Sequence, residues 1–137
     1  MNTVQNVVEL AGRSLLVLLF LISGFGKIGA YAGTATYMAS LGVPAAMLPI
    51  VIVTEIVGAL AIIVGWQTRA VAFLLGGFTL LAGMIFHSNF SDQMQMVMFL
   101  KNVSIAGGFL LLVANGAGAL SLDSRVARAP AGHGVRP

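Results

Sequence analysis

Residues 43–65 form a run of 23 that carries a single charge, Glu55, near its middle. A bilayer core about 30 Å thick takes roughly 20 helical residues to cross. The run is therefore read as a membrane span, and the rest of the chain has to fold around that fact. Composition agrees. Across 137 residues, AVILMFWYC make up 58% and charged residues 8%, where a soluble domain carries about 25% charged residues. Seven basic and four acidic side chains cannot cover the surface of a water-soluble fold. Disorder is excluded for the opposite reason, because disordered chains are poor in apolar residues.

Three further segments have spanning character. Residues 70–86 carry no charge and lie between Arg69 and His87. Residues 14–26 are uncharged between Arg13 and Lys27, and reach spanning length over 7–29 if both basic side chains snorkel toward the headgroups. Residues 103–114 span only if the helix begins near Met94 and takes Lys101 and Asn102 inside. The spans are placed at about 7–29, 43–65, 69–87 and 94–114, within a four-span domain over 1–123. The basic tail 124–137 is read as mobile and cytoplasmic. A cleaved signal peptide is disfavoured by the depth of Arg13, by Glu9 before it, and by the poor cleavage site at Gly26-Lys27-Ile28.

The connections are short. Gly65-Trp66-Gln67-Thr68 reads as a tight turn with Trp66 at the interface. Residues 34–41 have fair helix content, Gly42 is a natural stop, and Pro44 suits the first turn of the next span. A short interfacial helix is expected there, with Tyr31 and Tyr37 near the headgroups. The fold class is all-α: an integral membrane four-helix bundle with this interfacial helix between its first and second spans. Arg13, Arg69, Arg125, Arg128 and Arg136 fall on one side, Lys27 and Lys101 on the other. That asymmetry predicts both termini in the cytoplasm.

The chain has no cysteine, which excludes disulfides, iron–sulfur clusters and cysteine-ligated zinc within it. A net charge of +3, scattered along the sequence, does not suggest nucleic-acid binding. The glycines and alanines of the spans are read as packing residues. Met94, Met96 and Met98 alternate, but helical spacing puts only Met94 and Met98 on one face, and apolar filling is the preferred reading over a thioether metal cluster. Arg69 is read as an anchor at the end of its span. His87 is read as an interfacial histidine, and with His133 in the tail it has no histidine partner on a span.

Glu55 is the residue most out of place. An acidic group at mid-bilayer costs about 2.5–3.5 kcal/mol on insertion scales, so it must pair with a cation or become protonated. Arg13 and Lys27, 14 positions apart, lie on one face of the first span near its opposite ends. Lys101 lies about two turns into the fourth. Two readings are open. One is a polar pocket built from Glu55, Lys101 and Asn102, with Arg13, Lys27 and His87 as further members. The other is a structural Glu–Lys or Glu–Arg pair that fixes helix register and binds nothing.

Lys101-Asn102, Gly107-Gly108, the Gly116…Gly118 pair and Ser121-Leu122-Asp123 together resemble the C-terminal signature of the DoxX family. Residues 20–27, ending Ser23-Gly24-Phe25-Gly26-Lys27, are similar to that family's first-span ending, and residues 37–44 to its connection into the second. Glu55, the Gly65-to-Arg69 turn and His87 follow in family-like order. The resemblance covers about residues 10–123. Ala117 departs from it, standing where a proline is common.

The resemblance implies a small bacterial inner-membrane protein of four helices. Its relatives include subunits of thiosulfate:quinone oxidoreductases, components of membrane redox complexes, and proteins linked to resistance against quinones and aromatic compounds. The preferred expectation is a membrane subunit or binding module that holds a hydrophobic ligand such as a quinone between its helices. With no recognisable redox centre in the chain, electron transfer would need a redox protein partner or a bound cofactor. The alternatives are a structural or assembly protein, and a small transporter using Glu55 for proton coupling, in which a homodimer would supply the missing half.

Overall fold

The computed structural model describes residues 2–130. Its elements are α-helices, with one short 3-10 turn. Helix α1 (Thr3–Gly29) begins where the Asn2 side chain accepts the Gln5 N–H at 2.8 Å. It leads through Ala30 into α2 (Tyr31–Ser40), the interfacial helix expected from sequence. Gly42, at φ +81°, ends that element. A 3-10 turn over Ala45–Met47 then leads into α3 (Leu48–Val64), so the regular helix of the second span starts five residues later than position 43. Pro49, in its first turn, costs no hydrogen bond there.

Helix α3 closes on Gly65 at φ +73°. Trp66 N–H donates to Ala61 O (2.9 Å) and Gly65 N–H to Ile62 O (3.2 Å), the paired bonds of a left-handed glycine stop. Helix α4 (Thr68–Phe86) follows at once. Helix α5 (Gln93–Asn115) is capped by Asp92, whose carboxylate accepts from Met94 N–H (2.9 Å) and Gln95 N–H (3.2 Å). It starts early enough to carry Lys101 and Asn102 within the span. Residues 124–128, read from sequence as the start of the tail, belong to helix α6 (Leu122–Arg128), capped by the Ser121 side chain. Residues 131–137 of that tail, His133 among them, lie outside the described residues.

Four of the helical segments are long and apolar enough to cross a membrane: Thr3–Gly29, Ala45–Val64, Thr68–Phe86 and Gln93–Asn115. The most extensive packing joins α1 to α3 and α4 to α5, and the two pairs meet through α3 against α4. Buried positions recur every three or four residues, as in Val17, Phe20 and Gly24 of α1 and Ile52, Glu55 and Ala59 of α3. Each span thus turns one face inward. Phe20 and Phe109 meet edge to face at 5.5 Å in the centre. A second cluster, Met38 over Leu48 and Ile52, seats α2 on the bundle. The outer faces carry exposed Leu15, Ile22, Ile50, Phe73, Leu81 and Leu110, a surface that lipid has to cover.

The start of α1, the α3–α4 turn and α6 share one end of the bundle; α2 and the α4–α5 connection share the other. The terminal end is tied together by polar groups. Arg13, 2% exposed, donates to Ile62 O (3.0 Å), Ile63 O (3.1 Å), Ala117 O (2.5 Å) and Leu120 O. Arg69 donates to Val113 O and Ala114 O (3.2 and 3.0 Å). Each arginine thereby satisfies carbonyls that a helix C-terminus leaves open. Asp123 does the converse at the start of α4, accepting from Gln67 N–H (2.8 Å) and Thr68 N–H (2.9 Å). That grip holds Gln67 at φ +49°, an uncommon conformation for a residue with a side chain.

Candidate functional site

Glu55 faces the bundle interior, 5% exposed, one turn beyond Ile52 on the buried stripe of α3. Its partner is Lys27. The Lys27 ammonium donates to both carboxylate oxygens, at 2.9 and 3.0 Å, and to Ser23 Oγ at 2.5 Å. Ser23 Oγ in turn donates to Glu55 Oε1 at 3.3 Å. Ser23 and Lys27 are one helical turn apart and so share a face of α1. Gly24 between them lets α3 come close: a Cβ on Gly24 would lie 2.6 Å from Ile56 Cγ1 and 3.4 Å from Glu55 Cβ. The ion pair depends on that close crossing of two backbones.

Beside the pair lies a partly open cavity of about 420 Å³ in the α2 half of the bundle. That volume falls within the range of about 300–1,000 Å³ common for small-molecule sites. Its wall is mostly apolar, with Phe20, Val51, Phe78 and Ile105 toward the spans and Tyr37 and Phe86 toward α2. Tyr37 and Phe86 stack at 5.7 Å with an interplanar angle of 28°. The polar groups in the wall are few and varied. His87, at the end of α4, has Nδ1 3.3 Å from Gln95 Oε1. Asn102 Nδ2 donates to Thr79 O at 3.1 Å. Lys101 is exposed, and its ammonium contacts Met98 Sδ at 3.4 Å.

Five of the six residues singled out from sequence, Glu55, Lys27, Lys101, Asn102 and His87, line this one cavity. Arg13 is not part of it. It lies 14 positions before Lys27 on α1, about 21 Å of helical rise away, and its donors go to backbone carbonyls at the other end of the bundle. Ser23 and Thr79 are the additions. The hydroxyl of Ser23 completes the Glu55–Lys27 group. Its one sequence signal is the four-residue spacing to Lys27. Thr79 supplies the carbonyl that orients Asn102.

A four-span helical bundle with an ion pair beside a mostly apolar cavity defines a helical integral membrane protein. The DoxX family model matches residues 8–88, more than half of the chain. The chain belongs to the DoxX family. Over 123 residues it is 49% identical to "Inner membrane protein YqjF" of Escherichia coli (strain K12), a match covering 90% of this chain and 95% of that one. It is 44% identical over 126 residues to "Inner membrane protein YphA" of the same organism, covering 87% and 90%. The protein is thus an integral, multi-pass inner-membrane protein. No solved structure matches it. The C-terminal motifs around Lys101 and Asp123 fall outside the segment matched by the family model.

Proposed function

We propose that the cavity beside Glu55 binds a hydrophobic ligand of the quinone type, and that the protein serves as a membrane binding module or subunit for a redox partner. The observation that carries this reading is the placement of Glu55, Lys27, Lys101, Asn102 and His87 on the wall of one mostly apolar cavity. A quinone asks for a flat apolar slot and hydrogen-bond donors at its carbonyls, and the wall fits. Tyr37 and Phe86 give a flat aromatic face. Asn102 uses one N–H of its amide on Thr79 O and keeps the other. Lys101 and His87 add donors. When bound, a quinone supplies two-electron chemistry, with electrons that would come from the partner. The chain's own share is to hold the ligand, exclude water and keep Glu55 and His87 at hand for protons. By the distribution of basic residues the termini face the cytoplasm, which puts the cavity in the outer half of the membrane.

The test is mass spectrometry of gently purified protein for a co-purified hydrophobic ligand, comparing wild type with Glu55→Gln and Lys101→Met. A stoichiometric quinone in wild type that is lost from both variants supports the reading. Bulk lipid alone, identical in all three, overturns it.

One observation favours a second reading, a purely structural role. Lys27 and Ser23 leave neither Glu55 oxygen without a partner, as in a pair that only sets helix register. Replacing Glu55 and Lys27 together by apolar residues would then leave function intact.

A further inference from the structure

The cavity wall is unbalanced in charge. It contains two lysines, Lys27 and Lys101, and one carboxylate, Glu55. Lys27 and Glu55 neutralise each other at 2.9 Å. Lys101 contacts only a thioether, Met98 Sδ, and among the described residues it pairs with no carboxylate. It sits on the ninth residue of α5, about 12 Å of helical rise into the span. Charged side chains at such depth are expensive and pair with one another or face a polar cavity. Here the ammonium is exposed and lines the cavity at the same time, which puts it at the open edge.

From this imbalance we infer that the occupant carries one anionic oxygen group, an ionised phenol, hydroxyquinone or carboxylate, on an apolar body, with the anion against Lys101. The inference rests on the reading of the cavity as a ligand site and adds its charge class. The paired Lys27 and Glu55 make no net demand on the ligand. Asn102, the next residue along α5, also lines the cavity and has an amide N–H not used on Thr79 O. An ion pair completed by the ligand would be charge-assisted, and stronger the less water reaches the open edge. The same chemistry could be met by a free aromatic acid or by an acidic lipid, and the probes below separate the two.

The experiment measures binding to the full chain in phosphatidylcholine nanodiscs, with two matched pairs of probes. Menadione and lawsone differ by a methyl against a hydroxyl that is ionised at neutral pH. Oleyl alcohol and oleate differ in the same sense. Wild type should bind the anionic member of at least one pair about tenfold more tightly than the neutral one, the effect of one charge-assisted hydrogen bond. Lys101→Met should abolish that preference and Lys101→Arg keep it. Preference for lawsone identifies an aromatic acid; preference for oleate alone identifies a lipid acid. Equal binding of menadione and lawsone to wild type, with no preference for oleate, overturns the charge assignment but leaves the cavity a ligand site. A preference that survives in Lys101→Met also overturns it. Failure of all four probes to bind wild type overturns both readings.

Discussion

Both carboxylate oxygens of Glu55 are held by one ammonium group, that of Lys27, at 2.9 and 3.0 Å. The two residues come from helices that are not joined by a tight turn; α2 and the 3-10 turn lie between them. Their meeting is a property of the α1–α3 crossing, and it shields a charge that neither helix could keep in a membrane alone.

Removing one member of the pair leaves the other charge without a partner. Glu55→Gln or Lys27→Met should each lower stability by about 1–3 kcal/mol, the range for a buried polar group left unsatisfied. The double variant should regain most of that loss. Thermal unfolding in detergent reads the effect. A double variant no more stable than the weaker single one would show that the pair does not behave as a unit.

The crossing can be tested without touching a charge. Gly24→Val forces atoms against Ile56, where even a Cβ would sit at 2.6 Å. It should cost about 1–3 kcal/mol, as overpacking does, and weaken ligand retention with it. Gly12→Ala, mid-helix and with nothing within 4 Å of a new Cβ, should instead raise stability by about 0.5–1 kcal/mol. Equal effects from both would dissociate the close approach from stability.

Asp123 should make the terminal end sensitive to acid. Burial raises its pKa, but the hydrogen bonds from Thr68 and Gln67 and the nearby Arg13 outweigh this and leave the carboxyl below its usual range. A carboxylate with a lowered folded pKa stabilises fully above its unfolded pKa, about 3.9, and loses that contribution as pH falls through the folded value. Asp123→Asn should therefore lower stability by about 1 kcal/mol near neutrality, comparable to losing a helix cap. The gap to wild type should close as pH drops below about 4. A gap independent of pH would argue against the carboxylate's role.

Membrane orientation can be read with single cysteines, because the chain contains none. Val126 on α6 and Ser91 in the α4–α5 connection are both exposed. With the termini in the cytoplasm, Ser91→Cys should react with an impermeant maleimide added to intact spheroplasts, and Val126→Cys only after lysis. The reverse pattern would invert the topology and move the cavity to the cytoplasmic half.

Much of this molecule was legible from its residues. Length and apolarity set the spans, because a bilayer imposes a crossing distance and forbids uncovered polar backbone. The interfacial helix after Ala30 and the turn at Gly65 followed from local chemistry, a glycine that tolerates positive φ. The anomaly of Glu55 was visible because one charge in an apolar run has to be answered. Its answer was not legible. Arg13 and Lys27 share a face of α1, and the depth at which α3 crosses that face, beside Gly24, brings Lys27 to Glu55. Arg13 instead gathers carbonyls from Ile62 and Ala117, 49 and 104 residues away. Asp123 reaches the N–H of Thr68 across 55 residues. Such contacts depend on how helices cross, a geometry set by side-chain packing over the whole bundle rather than by spacing along the chain.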